Sequence, residues 1–269
     1  MAIDRRAFLC RAAGLGGGAL ATLVVAGCAT GGDRRAGTPT TSRGTLSTST
    51  TAPAGAVGAT AALTAADFTG LGGCTLVPEK TAGPFPLDRQ LPRRDVTEGL
   101  AGHPLRLGLR VVGVRDSFDA CVPRPGARVE IWHCDATGDY SAFVDGGGGK
   151  DAGPGTTFLR GTQTADAAGI VEFATIYPGW YRGRAVHIHL RVHEAGRTTL
   201  TSQLFFPDAY TESVYASAPY ARFGNPDTPN AQDSIAGDPA AEGTLLAVSR
   251  GETGRGPGTV GLLNLGVAA

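Results

Sequence analysis

From residue 105 onward the chain is cut into short stretches of alternating or apolar residues, and this spacing restricts the fold more than any other feature of its 269 residues. Residues 105–114 alternate around Leu105, Leu107, Leu109 and Val111, and residues 127–133 alternate in the same way. Residues 169–176, 186–192, 199–206, 241–248 and 259–265 are further strand candidates, divided by Gly, Pro and Asp turn signals. No run of 12 or more residues carries a helical period. Short strands without intervening helices predict an all-β fold, an antiparallel β-sandwich with long connecting loops. An irregular stretch, residues 207–238, is expected to wrap the sandwich with one helical turn near residues 211–217 and to carry no chemistry.

Residues 1–66 stand apart from this pattern. Asp4-Arg5-Arg6-Ala7-Phe8-Leu9 reads as a twin-arginine export signal, followed at residues 12–27 by an apolar, Gly-rich segment too short to span a bilayer. It ends in Val25-Ala26-Gly27-Cys28, which resembles a bacterial lipobox, so the membrane contact expected is a lipid anchor at Cys28, with plain secretion as the alternative. Residues 28–66 are rich in Thr, Ser, Ala and Gly, bury too little to offset the entropy of ordering, and read as a disordered tether. Residues 67–269 are left as the folded domain. Formal net charge is +0, and no basic patch offers a nucleic-acid footprint.

The chemistry concentrates in Tyr177-Pro178-Gly179-Trp180-Tyr181-Arg182-Gly183-Arg184-Ala185-Val186-His187-Ile188-His189. On an extended strand His187 and His189 point to the same face, about 7 Å apart along the axis, while Val186, Ile188 and Leu190 take the other. Read with Tyr140, this stretch supplies two phenols, Tyr140 and Tyr181, and two imidazoles. Phenolates are hard anionic donors, and the set points to one non-haem Fe(III) per chain. Taken singly, each residue has a plainer reading: the histidines as the polar face of an amphipathic strand, the tyrosines as buried hydroxyls with partners. His187, His189 and Glu194 also match the first-half spacing of a cupin metal site, but no histidine follows His193 to complete it.

The run from Cys74 to about Phe206 resembles the intradiol ring-cleavage dioxygenases, the family of catechol 1,2-dioxygenase and protocatechuate 3,4-dioxygenase, and in particular their exported relatives. The resemblance lies in Leu76-Val77-Pro78-Glu79 leading to Gly83-Pro84-Phe85, and in Val129-Glu130-Ile131-Trp132-His133-Cys134-Asp135-Ala136 ending in Gly138-Asp139-Tyr140-Ser141. It continues through Arg160-Gly161-Thr162-Gln163-Thr164 with Asp166 and Gly169, the Tyr181 to His189 stretch, and Gln203 before Phe205-Phe206. The resemblance implies Fe(III) held by Tyr140, Tyr181, His187 and His189, with Arg184 and Gln203 steadying the charge that develops on a bound catechol. It implies that the catechol displaces one tyrosinate, which takes up a proton, and that reaction with O2 gives a cis,cis-muconate-type product. Tyr177 is expected to pack at a strand end, and Asp166 and Gly169 to shape a turn.

Two departures from the family pattern stand out. Ala82 occupies the place of the usual Glu before Gly83-Pro84, and Tyr181 and His187 are separated by only five residues, which implies a more open site. Other readings are a surface binding module that keeps the fold without turnover, and a zinc-dependent hydrolase, which would need a carboxylate base beside the metal. Residues 145–155 form a Gly-rich loop whose Lys150-Asp151 does not match a phosphate cradle. Of five cysteines, Cys10 and Cys28 belong to the signal, so Cys74, Cys121 and Cys134 in an oxidising compartment imply one disulfide and one free thiol. A Cys74–Cys121 bridge would staple the start of the domain to the strand leading into Tyr140, and the pairing is otherwise open. Oligomeric state is unknown from the sequence.

Overall fold

Leu105, Leu107, Leu109 and Val111 are almost fully buried on β1 (Pro104–Val114), as their alternation demands. The computed structural model describes residues 60–72, 75–114, 121–144, 152–238 and 243–269, all within the compact unit Ala52–Ala269. The expected export signal, the lipobox at Cys28, most of the tether, residues 145–151 of the Gly-rich loop, Cys74 and the first two residues of the 241–248 strand lie outside the described residues. Among the described residues no helix is long and apolar enough to cross a membrane.

Two sheets face each other. The first joins β2 (Val122–Pro123), β1, β9 (Pro257–Ala268) and β8 (Ala247–Glu252) in that order, with β5 (Ile170–Ile176) paired antiparallel to β1. The second runs β4 (Arg160–Thr164), β3 (Arg128–Trp132), β6 (His187–Glu194) and β7 (Arg197–Phe205), all antiparallel. The expected sandwich is therefore present, with one departure: β1 and β9 pair in parallel from Leu105↔Thr259 to Val114↔Ala268. Strands brought together from opposite ends of the domain need no hairpin, so either direction is open to them. The sequence also gave no strand reading for Arg160–Thr164, whose polar residues do not alternate with apolar ones, and the expected 241–248 strand is displaced to Ala247–Glu252.

Facing side chains of both sheets fill one core. Val129 and Ile131 of β3, Val171 and Phe173 of β5, and Ile188, Leu190 and Val192 of β6 meet the β1 leucines, each contributing about 1.5–3 kcal/mol by its burial. The opposite face of the second sheet is polar. One rung across it aligns Arg160, Trp132, His189 and Gln203 on four neighbouring strands.

Residues 76–95 cross that polar face as a strap. Leu76 bridges to Gly266, the Lys80 amide donates to the Thr201 carbonyl, Pro92 bridges to Thr162, and Asp95 bridges to Ala174. Packed structure also begins ahead of the expected Asp67 boundary. The Ala61 carbonyl accepts from Arg106, Leu63 lies over Gly108, and a capping box between Thr64 and Asp67 opens a short 3-10 turn at Ala65–Phe68. Phe68 is buried, and composition alone cannot reveal that so polar a stretch ends on an anchor of this kind.

The wrap of residues 207–238 contains the expected helix as α1 (Asp208–Tyr215). Cys121 is disulfide-bonded and Cys134 is the buried free thiol, so the expected one bridge and one thiol hold for these two; the part of the pairing that falls on Cys74 lies outside the described residues.

Candidate metal centre

His187 and His189 stand on the polar face of β6 because Ile188 and Leu190 are drawn into the core. Their Nε2 atoms are 3.1 Å apart. The Tyr181 hydroxyl lies 3.1 Å from His187 Nε2, and the Tyr140 hydroxyl 3.3 Å from the same atom. The structure thus brings all four expected residues to one point. Donor atoms ringing a common centre at about 2 Å lie about 3 Å from one another, so the spacing fits a first-row metal with bonds of about 2.0–2.1 Å.

Each donor is aimed by its surroundings. The His187 Nδ1–H donates to the Ala185 carbonyl at 2.7 Å, which fixes the tautomer and leaves the Nε2 lone pair free. His189 is held by packing instead: its ring stacks on Trp132 at 5.0 Å and 3°, and Gly83 of the strap presses on its edge. A Cβ at Gly83 would come 2.9 Å from His189 Cε1, and its φ of +69° also favours glycine. Phe85 stacks on Tyr140 at 4.6 Å. Residues 135–139 fold back so that the Asp135 amide donates to the Asp139 carbonyl, which presents Tyr140. Gly179 brings the Tyr181 loop onto this turn, donating to the Asp135 carbonyl at 2.9 Å in a contact where any Cβ would collide with that oxygen.

The electrostatics describe a neutral cage. Burial pushes the Tyr181 phenol up to about 12 and holds Tyr140 well above the ordinary phenol value, helped by Tyr181 and Cys134. Burial and Arg184 bring His187 down to about 3, and burial with His187 holds His189 well below the ordinary imidazole value. All four are uncharged at neutral pH, and the phenols become anions only when a cation displaces their protons. Two phenolic oxygens and two imidazole nitrogens suit Fe(III). Among the described residues no cluster of three or more His, Cys, Asp or Glu offers a competing metal site. The cupin alternative fails on geometry, since Glu194 binds Arg124 at 2.8 Å.

Arg184 and Gln203 meet beside this centre: Arg184 Nη2 donates to Gln203 Oε1 at 2.6 Å, and Gln203 Nε2 donates to the Thr81 carbonyl at 2.9 Å. The sequence reading missed Asp233. Its Oδ2 accepts from Arg184 Nε at 2.8 Å and from the Ala185 amide at 2.7 Å, while its Oδ1 accepts from the amides of Ile235 and Ala236. With four donors, this carboxylate is not free to act as the base a hydrolase would need. Residues 207–238 therefore do bear on the site, contrary to expectation. The Tyr215 hydroxyl donates to the Pro178 carbonyl, the Tyr220 hydroxyl to the Tyr177 carbonyl, and the Gly183 amide to Asp227. An Asp followed by small residues signals an amide-capping turn, but its partner Arg184 lies 49 residues away and leaves no local trace.

Tyr177 is fully buried against Phe206 with its hydroxyl 2.8 Å from Thr211, a packing residue as expected. Asp166 and Gly169 form the expected turn, the Gly169 amide donating to the Asp166 carbonyl. Ala82 packs against Trp132, Cys134 and Tyr140, and both Trp132 Nε1 and His189 Nδ1 are buried without a hydrogen-bond partner among the described residues.

Comparison with known proteins bears on this arrangement. Residues 101–225, which contain all four candidate donors, match the Dioxygenase_C family of dioxygenases. An intradiol ring-cleavage dioxygenase structure from Tetranychus urticae superposes with a TM-score of 0.63 at 30% identity, covering 72% of this chain and 95% of that one. Chlorocatechol 1,2-dioxygenase of Rhodococcus opacus is 30% identical over 147 residues, 44% of this chain and 55% of that protein. Catechol 1,2-dioxygenase of Pseudomonas sp. (strain EST1001) is 32% identical over 124 residues, 39% of this chain and 38% of the relative. The chain thus spans about half or less of these curated relatives, but nearly the whole of the Tetranychus urticae protein, and on that match it belongs to the intradiol ring-cleavage dioxygenase family.

Proposed function

We propose that the protein is a non-haem Fe(III) dioxygenase that opens catechol-type rings with O2 to cis,cis-muconate-type products. The observation that carries this reading is the convergence of the Tyr140 and Tyr181 hydroxyls with His187 and His189 Nε2 within 3.1–3.3 Å contacts. When bound, the iron would supply Lewis acidity toward the two catechol oxygens and draw electron density from the ring. In the net reaction the bond between the two hydroxyl-bearing carbons breaks, and both atoms of O2 enter the product.

The protein's own contribution is positioning and charge. Tyr181 is partly exposed whereas Tyr140 is fully buried, so Tyr181 is the phenol able to leave the cage and take the proton of an incoming hydroxyl. Arg184, held by Asp233 and Gln203, places a cation where negative charge builds. The apolar side chains of Ala82, Phe85 and Phe143 beside Tyr140 exclude water from the same place.

We infer further that residues 1–27 direct twin-arginine export, that Cys28 carries a lipid anchor or the protein is secreted, and that the tether from residue 28 ends by Ala61. Because copper and zinc outrank iron at ordinary nitrogen and oxygen sites, iron would be loaded before export. Fractionation with and without the Cys28→Ala change tests the anchor: release of C28A to the soluble fraction supports it, and an unchanged distribution rejects it.

The test of function is the iron content and visible spectrum of the full chain, before and after anaerobic addition of catechol, followed by product analysis under air. A tyrosinate-to-iron band that shifts with catechol, and a ring-opened dicarboxylate on aeration, support the reading. A colourless protein, or an iron protein that binds catechol without opening it, rejects it in favour of a zinc site or a binding module.

A further inference from the structure

Arg160 lies on the same rung as His189 and Gln203, only 4% exposed, and its side-chain hydrogen bonds among the described residues end on uncharged oxygens. Its Nε donates to Ser141 Oγ at 2.7 Å, Nη2 to the Ser141 carbonyl at 2.9 Å, and Nη1 to the Phe85 carbonyl at 2.8 Å. The carboxylate on the adjoining rung, Glu130, is turned to Arg191 at 3.9 Å and His193 at 3.4 Å instead. Its guanidinium also lies 5.6 Å over the Phe143 ring. A buried guanidinium is costly unless an anion offsets it. Burial brings Arg160 down to about 10, opposed by Tyr140 and by the Glu130 carboxylate, which offsets part of the guanidinium's charge without bonding it.

Both ends of this arrangement reach Tyr140. Ser141 is the next residue in the chain, and Phe85 is the ring stacked on the Tyr140 phenol at 4.6 Å. One side chain therefore ties the backbone behind the phenol to the wall in front of it. We propose that Arg160 is a positioning residue for Tyr140, fixing the phenol between Ser141 and Phe85 and supplying the standing positive charge that offsets its phenolate in the loaded site. Arg184 reaches the site from the Gln203 side of His189, and its charge also acts on Tyr140. The inference rests on the iron-tyrosinate reading above.

The test uses the full chain and compares R160M, R160Q, R160K and S141A with the unaltered protein. Three readouts are taken: the tyrosinate-to-iron band, the midpoint potential of the bound iron, and the rate of iron release to a chelator. Removing a fixed positive charge stabilises the more highly charged Fe(III) state, so R160M and R160Q are expected to show a lower midpoint potential; because they also lose the ties to Ser141 and Phe85 that hold the Tyr140 phenol in place, iron release is expected to be about 10–100-fold faster. R160K, which keeps the charge without the fork, and S141A, which keeps the charge but loses one acceptor, should release iron faster while holding the unaltered protein's potential.

A purely structural contact would loosen iron equally in all four and leave the potential where it was; that result overturns the proposal. So does an unaltered potential in whichever neutral variant folds. If neither neutral variant folds, iron release from S141A at the rate of the unaltered protein overturns it. Absence of the band in the unaltered protein is distinguishable from all of these, and removes the iron reading together with this inference.

Discussion

Replacing Asp233 by Ala tests how the site is held together, because this carboxylate is fully buried and serves four donors. Hydrogen bonds to a charged acceptor contribute about 1.5–3 kcal/mol each, but four on one side chain do not add. The better guide is the cost of stranding one member of a buried ion pair, about 3–5 kcal/mol. Arg184 keeps 17% of its side-chain surface exposed, so water can reach it and the lower end applies, about 3 kcal/mol. Burial raises the Asp233 pKa, but the amides of Ala236 and Ala185 and the Arg184 guanidinium more than reverse this, so it is charged in the folded state. The consequence reaches the candidate metal centre by two routes: Arg184 loses its Nε anchor, and Ala185, whose carbonyl orients His187, loses its amide anchor. Urea unfolding of D233A should show about 3 kcal/mol lost, and ring-opening activity should fall about 10–100-fold. D233N, which keeps one acceptor oxygen but not the charge, should lie between. A D233A protein within about 0.5 kcal/mol of the unaltered one, the range of an ordinary surface change, and fully active would refute the reasoning.

Three further outcomes are expected. Gly83→Ala forces a Cβ to 2.9 Å from His189 Cε1 at a φ of +69°, costing about 1–2 kcal/mol in backbone conformation alone, so metal analysis should find iron lost while circular dichroism stays that of the parent. His133 is buried between the Cys134 carbonyl and the Thr175 hydroxyl, and burial depresses it to about 4. Because the unfolded chain then binds the extra proton, stability is complete above pH of about 6.5 and declines toward pH 4, by about 2 kcal/mol at pH 5 from this residue; urea titrations should show that slope flattened in H133Q. Cys134 donates to the Gly179 carbonyl at 3.3 Å and burial raises its thiol far above the reactive range, so a thiol reagent should label it only as fast as the protein unfolds. Rapid labelling of the native protein would contradict the placement.

Much of the site was legible because it follows a local rule. His187 and His189 share a face by strand parity, and Ile188 and Leu190 fix which face by going into the core. Tyr140, Tyr181, Arg184 and Gln203 were legible through motif, since each stands in a short run that resembles the family. Asp233 and Arg160 were not read in their roles. Their meaning lies in partners 49 and 75 residues away, Arg184 and Phe85, and their own neighbours in the chain carry no sign of those partners. The strap could be recognised as a Gly-Pro motif, but not that Gly83 backs a histidine.

The sequence by itself determined the periods: which residues alternate, hence that the domain is a β-sandwich, which face of β6 is apolar, and where the turns break. Only the tertiary structure decided the pairing of β1 with β9 in parallel, the passage of residues 76–95 over the polar face, and the meeting of four donor atoms within 3.1–3.3 Å contacts. Periodicity is a property of consecutive residues and survives in the one-dimensional string. Strand pairing and site closure are set by contacts between distant segments, whose free energies depend on packing that no single segment contains.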